Sequence, residues 1–277
     1  MNRSITRLLS ITKHISNKSP ASTNTSIFRA MSSSSEPSIT LYTAQTPNGI
    51  KVSIALEELG LPYEVKKISM AKNEQKEPWF LEINPNGRIP AITDKSGPDG
   101  KPIHIFESGA ILQYLVETYD KDHKISYPKG TREYWETQEW LFFQNAGVGP
   151  MQGQANHFFR YAPEKIPYAI NRYIAEAERL YSVLDTRLAS NPHGFLVGDR
   201  LTIADISTWG WINIAPWSGV ELSKFPNLKK WHAKLQERPA LKRGADVPEP
   251  STLLETLKDP KKAEELAKEA QKWIVQK

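Results

Sequence analysis

The chain has 277 residues, which is enough for two modest domains with a sizeable core. Its net charge of +5 comes entirely from the first 30 residues, which hold five basic residues and no acid, so the near-neutral remainder does not indicate a nucleic-acid surface. No apolar run approaches the roughly 20 residues that span a bilayer, so no membrane partner is expected. The absence of cysteine excludes disulfides, zinc–thiolate sites and a thiol nucleophile carried by the protein.

The first 30 residues have the composition of a mitochondrial presequence, being rich in Ser, Thr, Arg and Lys. Apolar residues recur there at helical spacing, with Arg3 and Arg7 offset from them. A disordered basic tail is the alternative interpretation. Initiation at Met31 would give a cytoplasmic form. We therefore assign residues 1–37 to a presequence or tail.

Residues 38–120 carry the pattern of a compact α/β domain. The pattern indicates a strand at 39–43, a helix at 50–59 and a second strand at 63–68. This succession predicts two parallel strands joined by a right-handed crossover. A short helix at 78–83, strands at 89–93 and 103–106 and a helix from 107 complete the order. The succession βαβ-α-ββα is that of a thioredoxin-like domain.

The chain after residue 120 is helical in period. We assign 121–129 to a linker, 130–245 to an all-helical domain and 246–277 to a C-terminal extension. Gly147, Gly149 and Pro150 should kink or end the first long helix of that domain. Thr202 and Asp205 have the spacing of an N-terminal capping box, which makes Asp205 a folding device rather than a catalytic acid. The last predicted helix, 259–274, is amphipathic, and it either lies over the ligand-binding site of the protein or frays.

A loop at residues 84–91 is the strongest candidate for ligand contact. Turn residues Pro85 and Gly87 precede the Ile89-Pro90 bond, and a strand-to-helix turn follows at 106–109. A trans Ile89-Pro90 bond would make an ordinary turn, and trans is the common isomer. A cis bond would turn the N–H and C=O of Ile89 outward, where they could pair with an extended peptide.

Five segments in this order and spacing resemble glutathione transferases over about residues 38–245. They are Thr-Pro-Asn-Gly at 46–49, Asn-Gly-Arg-Ile-Pro-Ala at 86–91, Phe-Glu-Ser-Gly-Ala-Ile at 106–111, Gly-Pro-Met-x-Gly-Gln at 149–154 and the capping box. The first and fourth are similar to the branch that holds the nu class, bacterial disulfide-bond oxidoreductases, and the transferase-like domain of the yeast nitrogen regulator. The resemblance implies a thioredoxin-like α/β N-terminal domain plus an all-α C-terminal domain, and it makes cis-Pro90 the expected isomer.

The resemblance also implies glutathione as a substrate, without a metal, and assigns binding residues. Glu107 and Ser108 would hold the γ-glutamyl amine and carboxylate, and Ile89 would pair with the cysteinyl backbone. A serine at a helix N-terminus is suited to an anion, although an N-cap serine and a solvated glutamate are the alternatives. Gln75 and Arg88 would lie near the γ-glutamyl or glycyl end.

Arg172 matches an arginine that reaches glutathione from the neighbouring subunit of a homodimer, the alternative being an ordinary surface arginine. His157, Phe158 and Phe159 are candidates for the wall of a second-substrate pocket, where His157 fits a packing or rim position better than a base.

Catalysis is assigned to Thr46 and Asn48, at the start of the first helix. With no cysteine in the chain, the reactive thiol must be that of glutathione. The Asn48 amide, the Thr46 hydroxyl and the helix N-terminus would stabilise its thiolate by about 1–3 kcal/mol. That corresponds to a thiol pKa lowered by about one to two units. Asn48 could also serve as a helix cap, and the two roles are compatible.

These residues predict a dimeric glutathione-dependent transferase or oxidoreductase. It would activate the glutathione thiol for disulfide or peroxide reduction, or for conjugation to electrophiles. The alternative is a glutathione-binding regulatory protein with little catalysis. The absence of a Gln/Asn-rich tail argues against the version of that alternative seen in the yeast regulator.

Overall fold

The computed structural model describes residues 27–29 and 38–274. The N-terminal half is a five-stranded sheet with the spatial order β1-β3-β2-β4-β5. Its strands are β1 (Ile27–Arg29), β2 (Ile39–Thr43), β3 (Tyr63–Lys67), β4 (Ala91–Asp94) and β5 (Ile103–Phe106). The four strands β2 to β5 form the predicted thioredoxin-like unit. The predicted presequence, residues 1–30, lies outside the described residues except for β1.

The parallel pair of the sheet is the one predicted. Strands β2 and β3 run parallel and are joined by α1 (Gly49–Leu59), which ends at Gly60 in the left-handed conformation with φ +70°. All other neighbouring strands are antiparallel, including β1 against β3. This edge strand was not predicted, since residues 1–37 were assigned to a presequence or tail. Helices α2 (Pro78–Leu81) and α3 (Ser108–Tyr119) complete the unit.

The C-terminal half is helical, as predicted. Its helices are α4 (Arg132–Phe143), α5 (Gly149–Asn156), α6 (Pro167–Ser190), α7 (Ile203–Asn213), α8 (Pro226–Gln236) and α9 (Pro239–Ala245). The expected interruption near Gly147 is a π-helical turn, Gln144–Val148, through which the chain passes from α4 into α5. A second π-helical turn, His157–Tyr161, follows α5. The helix predicted at 226–238 ends at Gln236, two residues early, and Pro239 begins α9.

The capping box at the start of α7 is formed as predicted. The buried Asp205 carboxylate accepts hydrogen bonds from the backbone N–H of Thr202 at 3.0 Å and of Leu196 at 2.9 Å. It also accepts one from the indole N–H of Trp231 at 2.8 Å. All three donors belong to the buried framework of the helical half. Asp205 therefore stabilises the fold of this half and takes no part in chemistry.

Helix α1 joins the two halves, because the main hydrophobic cluster continues from the sheet through α1 into α7 and α9. Gly244 of α9 makes this approach possible, since a Cβ there would lie 2.4 Å from the Ile54 backbone of α1. Ten of the eleven residues of α1 are consequently buried. The apolar period alone therefore does not reveal which side of α1 faces the sheet.

The C-terminal extension folds back onto the helical half. It contains α10 (Leu253–Thr256) and α11 (Pro260–Ile274). Ala263 and Ala267 of α11 are buried against Trp217, and the Gln271 side chain donates to the Tyr161 carbonyl at 2.8 Å. None of the helices in the described part of the chain is long and apolar enough to cross a membrane.

Candidate active site

The turn before α1 places the two predicted catalytic residues differently. The Thr46 hydroxyl oxygen accepts the backbone N–H of Gly49 at 3.0 Å, so Thr46 caps α1. Its O–H remains a potential donor, because a hydroxyl donates one hydrogen bond and accepts two. Asn48 occupies the N-cap position but its side chain makes no capping hydrogen bond. Thr46, and not Asn48, therefore provides the side-chain cap of α1.

Asn48 is instead bound to the helical half. Its Oδ1 accepts the indole N–H of Trp211, on α7, at 3.0 Å. The close approach depends on Gly210, since a Cβ there would lie 2.8 Å from the carbonyl oxygen of Pro47. With its oxygen engaged, Asn48 has its NH₂ group left to donate to a ligand.

The turn before α3 holds Glu107 and Ser108 in the predicted positions. Glu107 has φ +69° and is one of three non-glycine residues with positive φ among the described residues. Such backbone conformations cost about 1–3 kcal/mol and concentrate at functional sites. Ser108 is the first residue of α3 and is buried. The turn thus presents one carboxylate and one hydroxyl beside a helix N-terminus.

A buried lysine lies behind this turn. The Lys51 ammonium, on α1, donates to Ser108 Oγ at 3.2 Å and to Gln144 Oε1 at 2.6 Å. Its side chain is nearly inaccessible, with 1% of the residue exposed. Burial lowers the pKa of Lys51 to about 7, and the negative charge of Glu107 offsets part of this shift. Because Ser108 accepts from Lys51, the Ser108 O–H proton is left to donate to a carboxylate.

Lys51 was not predicted as a site residue from the sequence. One signal was present: a lysine in the first turn of a helix opposes the helix dipole, so it needs a compensating partner. Here the compensation comes from Gln144 at the π-helical turn and from the charge of Glu107.

The loop at 84–91 has the predicted backbone. The Ile89-Pro90 bond is cis, which confirms the expectation from the resemblance. Ile89 lies just outside β4, and its backbone N–H and C=O make no hydrogen bond within the described part of the chain. The buried Asn84 side chain shapes the loop by donating to the Arg88 carbonyl at 2.6 Å. Arg88 itself is exposed.

Gln75 sits against the same loop with an unsatisfied acceptor. Gly87, with φ +60°, lets the loop close on Gln75, because a Cβ at Gly87 would lie 2.8 Å from the Gln75 carbonyl oxygen. The Gln75 amide nitrogen donates to Asn73 Oδ1 at 2.8 Å. Its Oε1 is buried, and it has no hydrogen-bond partner among the residues described. A buried acceptor of this kind fits an ammonium or N–H group of a ligand.

Two predicted features lie apart from this constellation. Arg172 is exposed on α6, and the chain does not bring it to the other site residues. His157 packs against Phe158, and the Phe158 ring stacks on that of Tyr173 with centroids 5.4 Å apart.

A cavity of about 910 Å³ opens beside the start of α1. Its wall combines the Thr46 turn and α7 with the C-terminal extension, so the extension covers this side of the site. Asn156, the last residue of α5, and Tyr161 line the cavity, whereas His157, Phe158 and Phe159 do not. Among its lining residues are Thr46, Asn156, Tyr161, Trp217, Leu254 and Leu266. Within residues 27–29 and 38–274, no cluster of three or more acidic or histidine side chains is placed to hold a metal ion.

Comparison with known protein families agrees with this geometry. The model of the glutathione S-transferase N-terminal domain matches residues 37–117, and that of the C-terminal domain matches residues 162–243. The disulfide-bond oxidoreductase YfcG of Escherichia coli is 46% identical over 203 residues, covering 73% of this chain and 92% of that protein. The chain belongs to the glutathione S-transferase family.

Two solved glutathione transferases are similar in structure. A homologue from Lodderomyces elongisporus, crystallised with two glutathione molecules per subunit, has 51% sequence identity and a TM-score of 0.73. That match covers 77% of this chain and 99% of the homologue. The transferase URE2P6 of Phanerochaete chrysosporium, in complex with oxidised glutathione, has 46% identity and a TM-score of 0.71, with coverage of 75% and 94%.

Proposed function

We propose that this glutathione transferase uses glutathione to reduce disulfides, with the thiolate formed beside Asn48. The proposal rests on the hydrogen bonding of the Asn48 side chain. Its oxygen is held by Trp211, so its NH₂ group is presented as a donor at the N-terminus of α1. A thiolate placed there gains hydrogen bonds from Asn48 and Thr46 and the favourable end of the helix dipole.

The other end of glutathione has matching groups. Ser108, supported by the Lys51 ammonium, suits the γ-glutamyl carboxylate, and Glu107 suits the ammonium. The free backbone groups of Ile89 suit the cysteinyl residue, as in a short strand pairing. Gln75 Oε1 supplies an acceptor, and Arg88 offers a charge to a carboxylate at the rim.

The proposed reaction uses two glutathione molecules because the protein has no cysteine. The first thiolate attacks one sulfur of the disulfide, forming a mixed disulfide with glutathione and expelling the other sulfur as a thiolate, which takes a proton. A second glutathione thiolate attacks the mixed disulfide. One disulfide becomes two thiols, and two glutathione molecules become oxidised glutathione. The same thiolate serves peroxide reduction or conjugation to an electrophile.

The purified protein tests this proposal with glutathione and hydroxyethyl disulfide, alongside the electrophile chlorodinitrobenzene. We expect glutathione-dependent disulfide reduction that exceeds the rate without protein. Tight glutathione binding without turnover of either substrate would favour the regulatory alternative.

We further propose that the protein is a homodimer. Trp135 and Phe142 of α4 are seven residues apart, hence on one side of the helix, and they are 60% and 61% exposed. Large apolar side chains exposed on one face indicate an interface. A second copy is the proposed partner, since the resemblance places Arg172 across such an interface. Light scattering should show a dimer for the native chain and a monomer for Trp135→Glu/Phe142→Glu.

The proposed location is the mitochondrion, from the composition of residues 1–30. A reporter fused to these residues should enter mitochondria, and a variant with Arg3 and Arg7 replaced by glutamate should not. A cytosolic native fusion would contradict the proposal.

A further inference from the structure

Trp211 contacts the side chain on which the proposed chemistry depends. Its indole N–H lies 3.0 Å from Asn48 Oδ1 although the two residues are 163 positions apart. An indole nitrogen donates and never accepts, so only the oxygen of the Asn48 amide can face it. We propose that Trp211 is a positioning residue that fixes the orientation of the Asn48 amide, so that its NH₂ group and not its oxygen faces the glutathione thiolate. This inference rests on the proposed function.

The orientation matters because an amide is chemically two-sided. Rotation of the Asn48 amide by half a turn would exchange its oxygen and nitrogen at little steric cost, since the two ends are nearly equal in size. The NH₂ group stabilises a thiolate, whereas the oxygen would place a partial negative charge against it. A single donor on one side of the amide therefore selects the productive arrangement.

The indole of Trp211 packs closely against the glycines of α5. A Cβ at Gly149 would lie 3.3 Å from both Nε1 and Cε2 of Trp211, which is closer than ordinary contact, and 2.7 Å from the Gln144 amide nitrogen. A Cβ at Gly153 would lie 3.6 Å from the far edge of the ring, at ordinary contact distance. Gly149 thus sets how closely α5 approaches the indole.

The backbone of Trp211 is fixed from the same segment. The buried Gln152 side chain donates to the Trp211 carbonyl at 2.8 Å and to Ser218 Oγ at 3.0 Å. Gln152 is in turn held by the buried Tyr181 hydroxyl, which donates to its Oε1 at 2.8 Å. Gly149, Gln152 and Gly153, all within the segment 149–154, consequently act on the site through Trp211.

A double-mutant cycle in the full-length protein tests the proposal. Trp211→Phe keeps the ring and removes the N–H, and we expect it to lower kcat for hydroxyethyl disulfide reduction by about fivefold, the worth of one hydrogen bond. Glutathione binding should stay within about twofold of the native value. In the Asn48→Ala background the same change should have no effect, because the amide to be oriented is gone. The rising limb of the kcat/KM profile should also move to higher pH in Trp211→Phe.

Trp209→Phe is the matched control. Trp209 lies on the same helix and donates its indole N–H to the His232 carbonyl at 3.4 Å, with its ring stacked on His232. The Trp209→Phe variant loses an equivalent indole donor, but that donor does not contact Asn48. Its kcat should therefore equal that of the native protein.

A second pair of variants keeps the test independent of Trp211 itself. Gly149→Ala should displace the indole and lower kcat, whereas Gly153→Ala should not. Native kcat in Trp211→Phe, or the same loss from Trp211→Phe with and without Asn48, would overturn the inference while leaving the proposed function intact. Native kcat in Asn48→Ala would overturn both. Should Trp211→Phe not fold, native kcat in a folded Gly149→Ala would overturn the inference.

Discussion

The two ends of the proposed glutathione site differ in kind. At the γ-glutamyl end, Lys51 and Glu107 place charges on either side of Ser108. At the thiol end, Thr46, Asn48 and Trp211 form a chain of neutral hydrogen-bonding groups. Charged groups give strong and specific binding of an amino acid's ammonium and carboxylate. We propose from this difference that one end holds glutathione and the other activates it.

Neutral donors at the thiol end have a chemical advantage. A thiolate becomes a weaker nucleophile as its pKa falls, and the optimum lies near the ambient pH. A full positive charge would lower the thiol pKa further than this optimum requires. An amide and a hydroxyl stabilise the thiolate more gently and leave it reactive.

The largest effect is expected for Asn48→Ala. Removing the donor at the reacting atom should lower kcat for disulfide reduction by about 100-fold, the scale seen for preorganised donors in other enzymes. Affinity for S-methylglutathione, which has no free thiol, should change by less than about threefold. Steady-state kinetics and calorimetric titration measure the two quantities. A loss of affinity matching the loss of kcat would remove the division between the two ends.

Ser108→Ala should show the opposite behaviour. The variant loses a hydrogen bond to a carboxylate and leaves the Lys51 ammonium with one partner fewer. Glutathione affinity should fall by about tenfold, while kcat at saturating glutathione stays near the native value. Equal affinity in the native protein and the variant would show that the carboxylate lies elsewhere.

Lys51 makes the γ-glutamyl end sensitive to pH. Its pKa, lowered by burial to about 7, should rise when a carboxylate binds nearby, so binding takes up a proton. Affinity for S-methylglutathione should therefore decrease about threefold as pH rises through the pKa of Lys51, because the charged form is the one that attracts the anion. Lys51→Met should bind more weakly and lose this dependence. A pH-independent affinity in the native protein would contradict the assignment.

A substitution outside both ends should affect stability alone. Asp205→Ala leaves buried N–H groups of Thr202, Leu196 and Trp231 without an acceptor. The free energy of unfolding should fall by about 3 kcal/mol, measured by urea denaturation. The kcat of the folded fraction should be unchanged, and a specific loss of kcat would give Asp205 a catalytic role.

Most of the N-terminal fold could be predicted because its signals are local. The turn residues, the apolar residues of β2 and of β3, which alternate with polar ones in β3, and the glycine that ends α1 all act within a few positions. The capping box is likewise local, at Thr202 and Asp205. Strand β1 has no such signal, since it exists through pairing with β3.

The site was predicted in part for the same reason. Asn48, Ser108 and Ile89 stand in recognisable segments, whereas Lys51 gains its partners from α3 and from the π-helical turn. The hydrogen bond between Asn48 and Trp211 joins the two halves of the chain. Contacts of this range depend on how the halves pack, which periodicity and spacing do not encode.

The pKa of the glutathione thiol in the complex tests the proposed role of Asn48 at the reacting atom itself. Ultraviolet absorbance of the thiolate, followed during a pH titration, reports it in the native protein and in Asn48→Ala. The native complex should have a thiol pKa about one to two units below that of free glutathione, and in Asn48→Ala the thiol pKa should return most of the way to the free value. The same thiol pKa in both complexes would contradict the role of Asn48.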